Sequence, residues 1–193
     1  MNIITGYTGK KHVTAGNDGC LNMGFAGTDD YVLNVGKKLE AQIVSNNQVR
    51  IFDGEILMQG RQASIDAGTY EDVNIENGEQ LLGRNDLIVA RYTLDSETAV
   101  EKIELAVVKG TAAETAEDPE ITAGEIRNEA SLHEMPLYRV KLEGLTLTAV
   151  EPLFQVLPSL TDIQGALGVE KIVAVSELPS SPADNTLYLI QEV

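Results

Sequence analysis

Apolar and polar positions alternate with a period of two along much of this chain, in short runs punctuated by Gly, Asn and Asp. The clearest case is 101–109. Ile103, Leu105 and Val107 fall on one face there, and Lys102, Glu104 and Ala106 on the other, the pattern of a half-buried strand. Residues 87–92, Leu-Ile-Val-Ala-Arg-Tyr, form a more continuous apolar run and read as a buried strand. Asp95-Ser96-Glu97-Thr98 between the two runs is turn chemistry, so 83–110 is predicted to be a β-hairpin at the centre of the core. A second hairpin is predicted over 137–150. Tyr138, Val140 and Leu142 lie on one face, Arg139 and Lys141 on the other, and Glu143-Gly144 makes the turn.

Between residues 31 and 75 the same period predicts a meander of short strands at 31–35, 39–44, 49–52, 56–58, 63–65 and 73–75. The breaks are Gly36, Asn46-Asn47, Asp53-Gly54 and Ala67-Gly68, with Asn77-Gly78 closing the series. Asp-Gly is a strong type I′ hairpin signal, so 53–54 is read as a tight turn. Turns this closely spaced predict a mainly β fold, an antiparallel sandwich or a barrel-like meander.

The ends behave differently. Residues 1–30 are rich in Gly, Asn and Thr with no period of either kind, and read as an extended arm that lies on a neighbouring surface or subunit. Residues 111–129 are small, acidic and broken by Pro119. They read as a solvated loop leading into one helical turn near 122–127. Residues 158–167 form the one short helix expected, stopped at Gly168. Two strands, 172–175 and 187–190, flank a Pro-containing loop and read as a small hairpin. The expected organisation is an assembly arm (1–30), a β-domain (31–156) and a C-terminal helix-plus-hairpin module (157–193).

Composition narrows the chemistry. The 193 residues carry a net charge of −16, which disfavours nucleic acid and anionic membranes because phosphate binding needs clustered Lys and Arg. Trp is absent and aromatics make up 5% of the chain, so the core is expected to be aliphatic. A single Cys20 leaves no internal disulfide and no cysteine zinc site. Neither a secretory leader nor an apolar run long enough to cross a membrane is evident, so synthesis in a cytoplasm and no membrane insertion are expected.

His12 and His133 are the only histidines, and neither has an i, i+4 metal-ligating partner. Ser131 and His133 lie in no Gly-x-Ser-x-Gly elbow, and His133 reads as a loop histidine. Asp29-Asp30 and Glu71-Asp72 are adjacent acids in turns rather than a pair facing across a sugar cleft. Gly6-Tyr7-Thr8-Gly9-Lys10-Lys11 lacks the spacing of a phosphate loop. No catalytic, cofactor or metal residue is therefore assigned, and the chain is read as non-enzymatic. The candidates are assembly residues: Tyr7, Lys10, Lys11, His12 and Phe25 in the arm, Arg84, Arg91, Arg139 and Lys141 as a basic stripe on the hairpins, and Tyr188 in the tail. The plainer alternative for the stripe is cross-strand pairing with Glu101 and Glu104.

Several runs in residues 1–154 resemble small structural proteins of tailed phages and prophages of Gram-positive gut bacteria. They include Ile4-Thr-Gly-Tyr-Thr-Gly-Lys, Asp30-Tyr-Val-Leu-Asn-Val-Gly, Met58-Gln-Gly-Arg, Arg84-Asn-Asp-Leu-Ile-Val-Ala-Arg-Tyr and Leu132-His-Glu-Met-Pro-Leu-Tyr-Arg-Val. The tail from Val175 to Ile190 is similar to a short module appended to many virion proteins. The resemblance implies a virion component at the tail tip, baseplate or fibre-attachment point, joined to other tail or baseplate proteins. A homo-oligomer is expected, with a trimer favoured. A head-fibre or capsid-decoration role is one alternative. A carbohydrate-binding module recognising a host-surface glycan is another, and it requires tyrosines clustered on one groove. A cell-wall hydrolase is the weakest.

Overall fold

The computed structural model describes residues 3–5, 9, 12–168 and 171–190. These fall into two compact units, Met1–Leu157 and Pro158–Val193. The fold is mainly β, with two helices rather than the single one expected.

The first unit contains a five-stranded and a four-stranded sheet. In the five-stranded sheet β1 (Asp30–Leu33), β2 (Ala41–Ser45) and β4 (Arg61–Asn74) all pair antiparallel with the long β3 (Gln48–Met58). The two-residue β9 (Val156–Leu157) pairs parallel with β1, so this sheet is mixed rather than purely antiparallel. The other sheet has the order β6-β5-β7-β8, from β5 (Gly83–Leu94), β6 (Glu101–Val108), β7 (Leu132–Glu143) and β8 (Thr146–Pro152), all antiparallel. Both sheets are open, with free outer strands. Val32, Val49, Ile51, Ile56 and Met58 of the first join Ile88, Ala90, Tyr92, Leu137 and Val140 of the second in one buried cluster. The core is thus aliphatic apart from a few tyrosines, as the composition required.

Both predicted hairpins are present. β5 is central and buried, while β6 is the outer strand and packs Ile103, Leu105 and Val107 against the core only partly. Asp95 builds the turn between them, its Oδ1 accepting from the Glu97 and Thr98 amides at 2.8 and 3.2 Å.

The expected turn at Asp53-Gly54 is a correction. β3 runs straight through it, and the register shifts between Phe52 and Gly54. The Asp53 carbonyl instead accepts from the Lys37 and Leu39 amides. A Cβ on Gly54 would lie 2.6 Å from the Leu39 nitrogen, so glycine is there for close approach and not for a reversal. The reversal comes at Gln59-Gly60, where both φ angles are positive (43° and 87°), as a two-residue hairpin loop demands. The strands expected at 63–65 and 73–75 are the two ends of a single β4, and 66–69 is an excursion within it, because Phe52 pairs with Tyr70 while Gly54 pairs with Ile65. Asn77-Gly78 lies in a non-turn loop.

Residues 15–26 of the expected extended arm form a helix, α1 (Ala15–Ala26). Thr14 and Asn17 make a reciprocal capping box, the Thr14 hydroxyl accepting from the Asn17 amide (3.2 Å) and the Asn17 side chain from the Thr14 amide (3.0 Å). Gly16, Gly19 and Gly24 each weaken the helix by about 1 kcal/mol relative to Ala, so docking must hold it. Gly19 lies against Gly60 so closely that a Cβ on Gly60 would meet the Gly19 carbonyl at 2.3 Å. Asn22 Nδ2 donates to the Gly60 carbonyl (2.9 Å) and Arg61 Nη1 to that of Ala15 (3.1 Å).

The second unit has the expected helix, α2 (Leu160–Leu167), capped by Ser159 and ended by Gly168 at φ 60°. Its strands, β10 (Lys171–Val175) and β11 (Thr186–Ile190), pair parallel and so are not the hairpin expected. The ten residues between them are long enough to carry the chain back to the start of β10.

Candidate functional site

The largest concentration of interacting polar side chains lies on the outward face of the β6-β5-β7-β8 sheet. Residues paired across strands share a face. The register Asn85↔Lys141, Leu87↔Arg139 and Arg91↔Glu134 therefore places these six together. Leu87 and Val89 are nonetheless almost fully buried, and the segment 111–124 accounts for it. Ala113 exchanges backbone hydrogen bonds with Gly83, and the Glu134 amide donates to the Thr122 carbonyl (2.8 Å). Between these anchors Asp118 accepts from Asn85 Nδ2 (2.9 Å) and pairs with the Arg139 guanidinium. The acidic run expected to be a solvated loop is a strap across the sheet. Its helical turn is a 3-10 turn, Ile126–Asn128, with Ile126 buried.

Arg91, Arg139 and Lys141 of this face each hold a carboxylate. Arg139 binds Asp118 and Glu151, Lys141 binds Glu151 at 2.7 Å, and Arg91 binds Glu134 at 2.8 Å. Glu134 also accepts from the Thr122 amide (2.8 Å). The guanidinium of Arg139 holds the Asp118 carboxyl below the usual carboxylate range, and Lys141 followed by Arg139 does the same for Glu151. A shallow basin of about 870 Å³ lies beside the strap, lined in part by Leu81, Asn85, Glu117, Asp118, Arg139 and Lys141. No aromatic side chain lines it.

The basic stripe breaks at Arg84. Arg84 and Arg91 are an odd number of residues apart, so on a strand they face opposite ways. Arg84 is 2% exposed, and makes two 2.8 Å bonds to Asp86 and further bonds to the Glu76 and Asn77 carbonyls. It is a buried structural arginine and not a contact residue. The expected Glu101 and Glu104 partners are also taken by others. Glu101 receives the Arg61 guanidinium (2.7 Å) and the Tyr92 hydroxyl (2.9 Å), and Glu104 receives Lys102. Arg61 lowers the Glu101 pKa, while burial raises that of Tyr92 to about 12.

His133 lies elsewhere than its sequence neighbours suggest. It sits in β7, 5% exposed, and is not a loop histidine. Its Nε2 is 2.7 Å from Asp30 Oδ2 and 3.4 Å from Gln59 Nε2. Gln59 also donates to the Gly124 carbonyl (2.9 Å) and accepts from the Ile126 amide (2.8 Å). These bonds tie β1, the β3–β4 turn, the end of the strap and β7 into one interior knot. Asp30 Oδ1 and His133 Nδ1 are buried without partners. Asp30 and Gln59 lie 103 and 74 positions from His133, and no local pattern joins them.

Of the remaining candidates, Tyr7, Lys10 and Lys11 lie outside the described residues, and His12 is half-buried. Phe25 is 86% exposed on α1, with Leu21 one turn before it at 58%. Tyr188 is half-buried in the second unit, its hydroxyl accepting from the Ala183 amide at 2.9 Å. The described tyrosines do not gather on one groove. Tyr92 and Tyr138 are buried, Tyr188 belongs to the second unit, and Tyr70 stands beside Phe52 with the Arg50 guanidinium 3.5 Å above its ring. Among the described residues no three His, Cys, Asp or Glu side chains are grouped to hold a metal, and no helix is long and apolar enough to cross a membrane.

No protein-family model matches the sequence, and no curated protein matches it.

Proposed function

We propose that this chain is a structural protein of a tailed-phage virion, working by assembly with copies of itself and with other tail or baseplate proteins. The first unit serves as a β-sandwich platform, its two sheets stacked over a shared aliphatic core. Synthesis takes place in the host cytoplasm and the working location is the tail tip, baseplate or fibre-attachment region. One observation carries the reading. Arg91, Arg139 and Lys141 of the outward sheet face are each closed into an ion pair, with Glu134, Asp118 and Glu151 as their partners, while large apolar side chains such as Leu21 and Phe25 face solvent. Paired, ionised carboxylates and tyrosines held protonated are poor general acids and bases near neutrality. Exposed apolar side chains gain by being covered. The virion assignment itself rests on the sequence resemblance over residues 1–154.

The test has two arms. Light scattering on the purified chain at micromolar concentration is expected to give a multimer, with a trimer favoured. Mass spectrometry and antibody labelling of particles purified from an induced host culture are expected to find the chain at the tail. A stable monomer that is absent from particles would overturn the reading, and label on the capsid would move it to the head-fibre or decoration alternative.

A further inference from the structure

The loop between β1 and β2 carries Asn34-Val35-Gly36-Lys37-Lys38, and each of these residues is exposed. Its base is fixed to the body of the first unit. The Lys37 and Leu39 amides donate to the Asp53 carbonyl at 3.1 and 3.2 Å. Leu39 is 3% exposed, and its carbonyl accepts from the buried Tyr138 hydroxyl at 2.8 Å. The Lys37 ammonium stands 3.8 Å from the centre of the Phe52 ring, whose face attracts a cation. Two lysines and Val35, 45% exposed, are thus held out on a short, anchored tip.

The charges of this tip set it apart. Among the described residues most lysines and arginines hold a carboxylate. Lys37, Lys38, Arg127 and Lys171 hold none, and of these only Lys37 and Lys38 are adjacent. The basin beside the strap shows the reverse imbalance. Its cations, Arg139 and Lys141, are taken by Asp118 and Glu151, while Glu114 and Glu117 in its wall hold none of the described lysines or arginines. Leu81 in the same wall is 98% exposed.

We infer that the 34–38 tip of one copy docks in the strap basin of a second copy, Lys37 and Lys38 meeting Glu114 and Glu117, and Val35 meeting Leu81. This deepens the assembly reading above and rests on it. Charge selects the occupant. A chain of net charge −16 repels its own copies. A contact between copies must therefore bring cations that hold no carboxylate against carboxylates that hold no cation. The tip and the basin supply these two sets on every chain, and a convex tip matches a concave basin in shape. Exposed ion pairs add little affinity singly, but they set register and partner choice. Covering Val35 and Leu81 adds the apolar gain. The two surfaces are unlike, so the contact is head to tail, the kind from which rings are built.

The test is a charge exchange in the full chain, read by light scattering at micromolar concentration and moderate salt. The native protein is expected to be a multimer. Lys37→Glu/Lys38→Glu and Glu114→Lys/Glu117→Lys are each expected to be monomers with unchanged circular dichroism, since all four side chains are exposed. A chain carrying all four exchanges has the native net charge and is expected to recover the native mass. Arg127→Glu/Lys171→Glu, equal in net charge to the tip variant, is expected to remain a multimer. Its dissociation would show that overall repulsion and not the tip is responsible, and would overturn the inference. Either the tip or the basin variant keeping the multimer mass, or a fourfold variant that stays monomeric, overturns it too and leaves the assembly reading standing on another surface. A native chain that stays monomeric overturns both.

Discussion

The arginine–aspartate pairs Arg84–Asp86 and Arg139–Asp118 differ above all in burial. In Arg84–Asp86 both side chains are nearly inaccessible, whereas Arg139 and Asp118 are each about three-tenths exposed. Breaking a buried pair leaves a charge without compensation and costs about 3–5 kcal/mol, while a solvent-screened pair contributes about 1 kcal/mol or less. Arg84→Leu is therefore expected to lower stability by at least about 3 kcal/mol and Arg139→Leu by about 1 kcal/mol, read from urea denaturation midpoints. Equal losses would mean that burial is not what separates them. Asp118 also sets a pH dependence. Arg139 holds its folded pKa below the unfolded value, so its stabilisation is complete above the unfolded pKa, about 4, and is lost as pH falls through the folded one. Thermal midpoints are expected to drop on acidification below about pH 4. Asp118→Asn should start lower at neutral pH and fall less steeply.

Elements here depend on partners that are distant in sequence. Helix α1 has three glycines and little apolar patterning, and it exists because its backbone packs on the β3–β4 turn. Gly60→Ala would set a Cβ 2.3 Å from the Gly19 carbonyl at a φ of +87°. The expected outcome is loss of amide-exchange protection across Ala15–Ala26 with the sheets intact, at a cost above about 1 kcal/mol. Unchanged protection in α1 would show that the helix is held by something else. The strap over 111–124 is a similar case. Its acidic composition looks like a water-facing loop, yet Gly83, Asn85, Arg139 and Glu134 hold it down and it covers Leu87 and Val89.

At the scale of the whole molecule the two units differ in how they are stabilised. The first buries an aliphatic cluster drawn from both sheets. The second has a sheet of two strands, and a two-stranded sheet alone is marginal in water. Hydrogen exchange is therefore expected to be faster in β10 and β11 than in β5 and β7. Equal protection in the two would mean that sheet size does not set the difference.

What the sequence determined by itself was local. Period-two alternation placed the two main hairpins, the lack of Trp indicated an aliphatic core, and Gly168 stopped α2. These features are legible because each is decided within a few residues by backbone geometry and side-chain direction. The glycine at 54 misled because Asp-Gly signals a turn only when nothing approaches the backbone, and here Leu39 does. The capping box of Thr14 and Asn17 was present in the sequence, but three glycines outweighed it until Gly60 supplied a surface. Tertiary structure alone decided the interior knot of His133, Asp30 and Gln59, the partner each arginine takes, and the parallel pairing of β10 with β11. Those depend on which distant segments meet in space, and burial there settles whether a charge is a contact on the surface or part of the core.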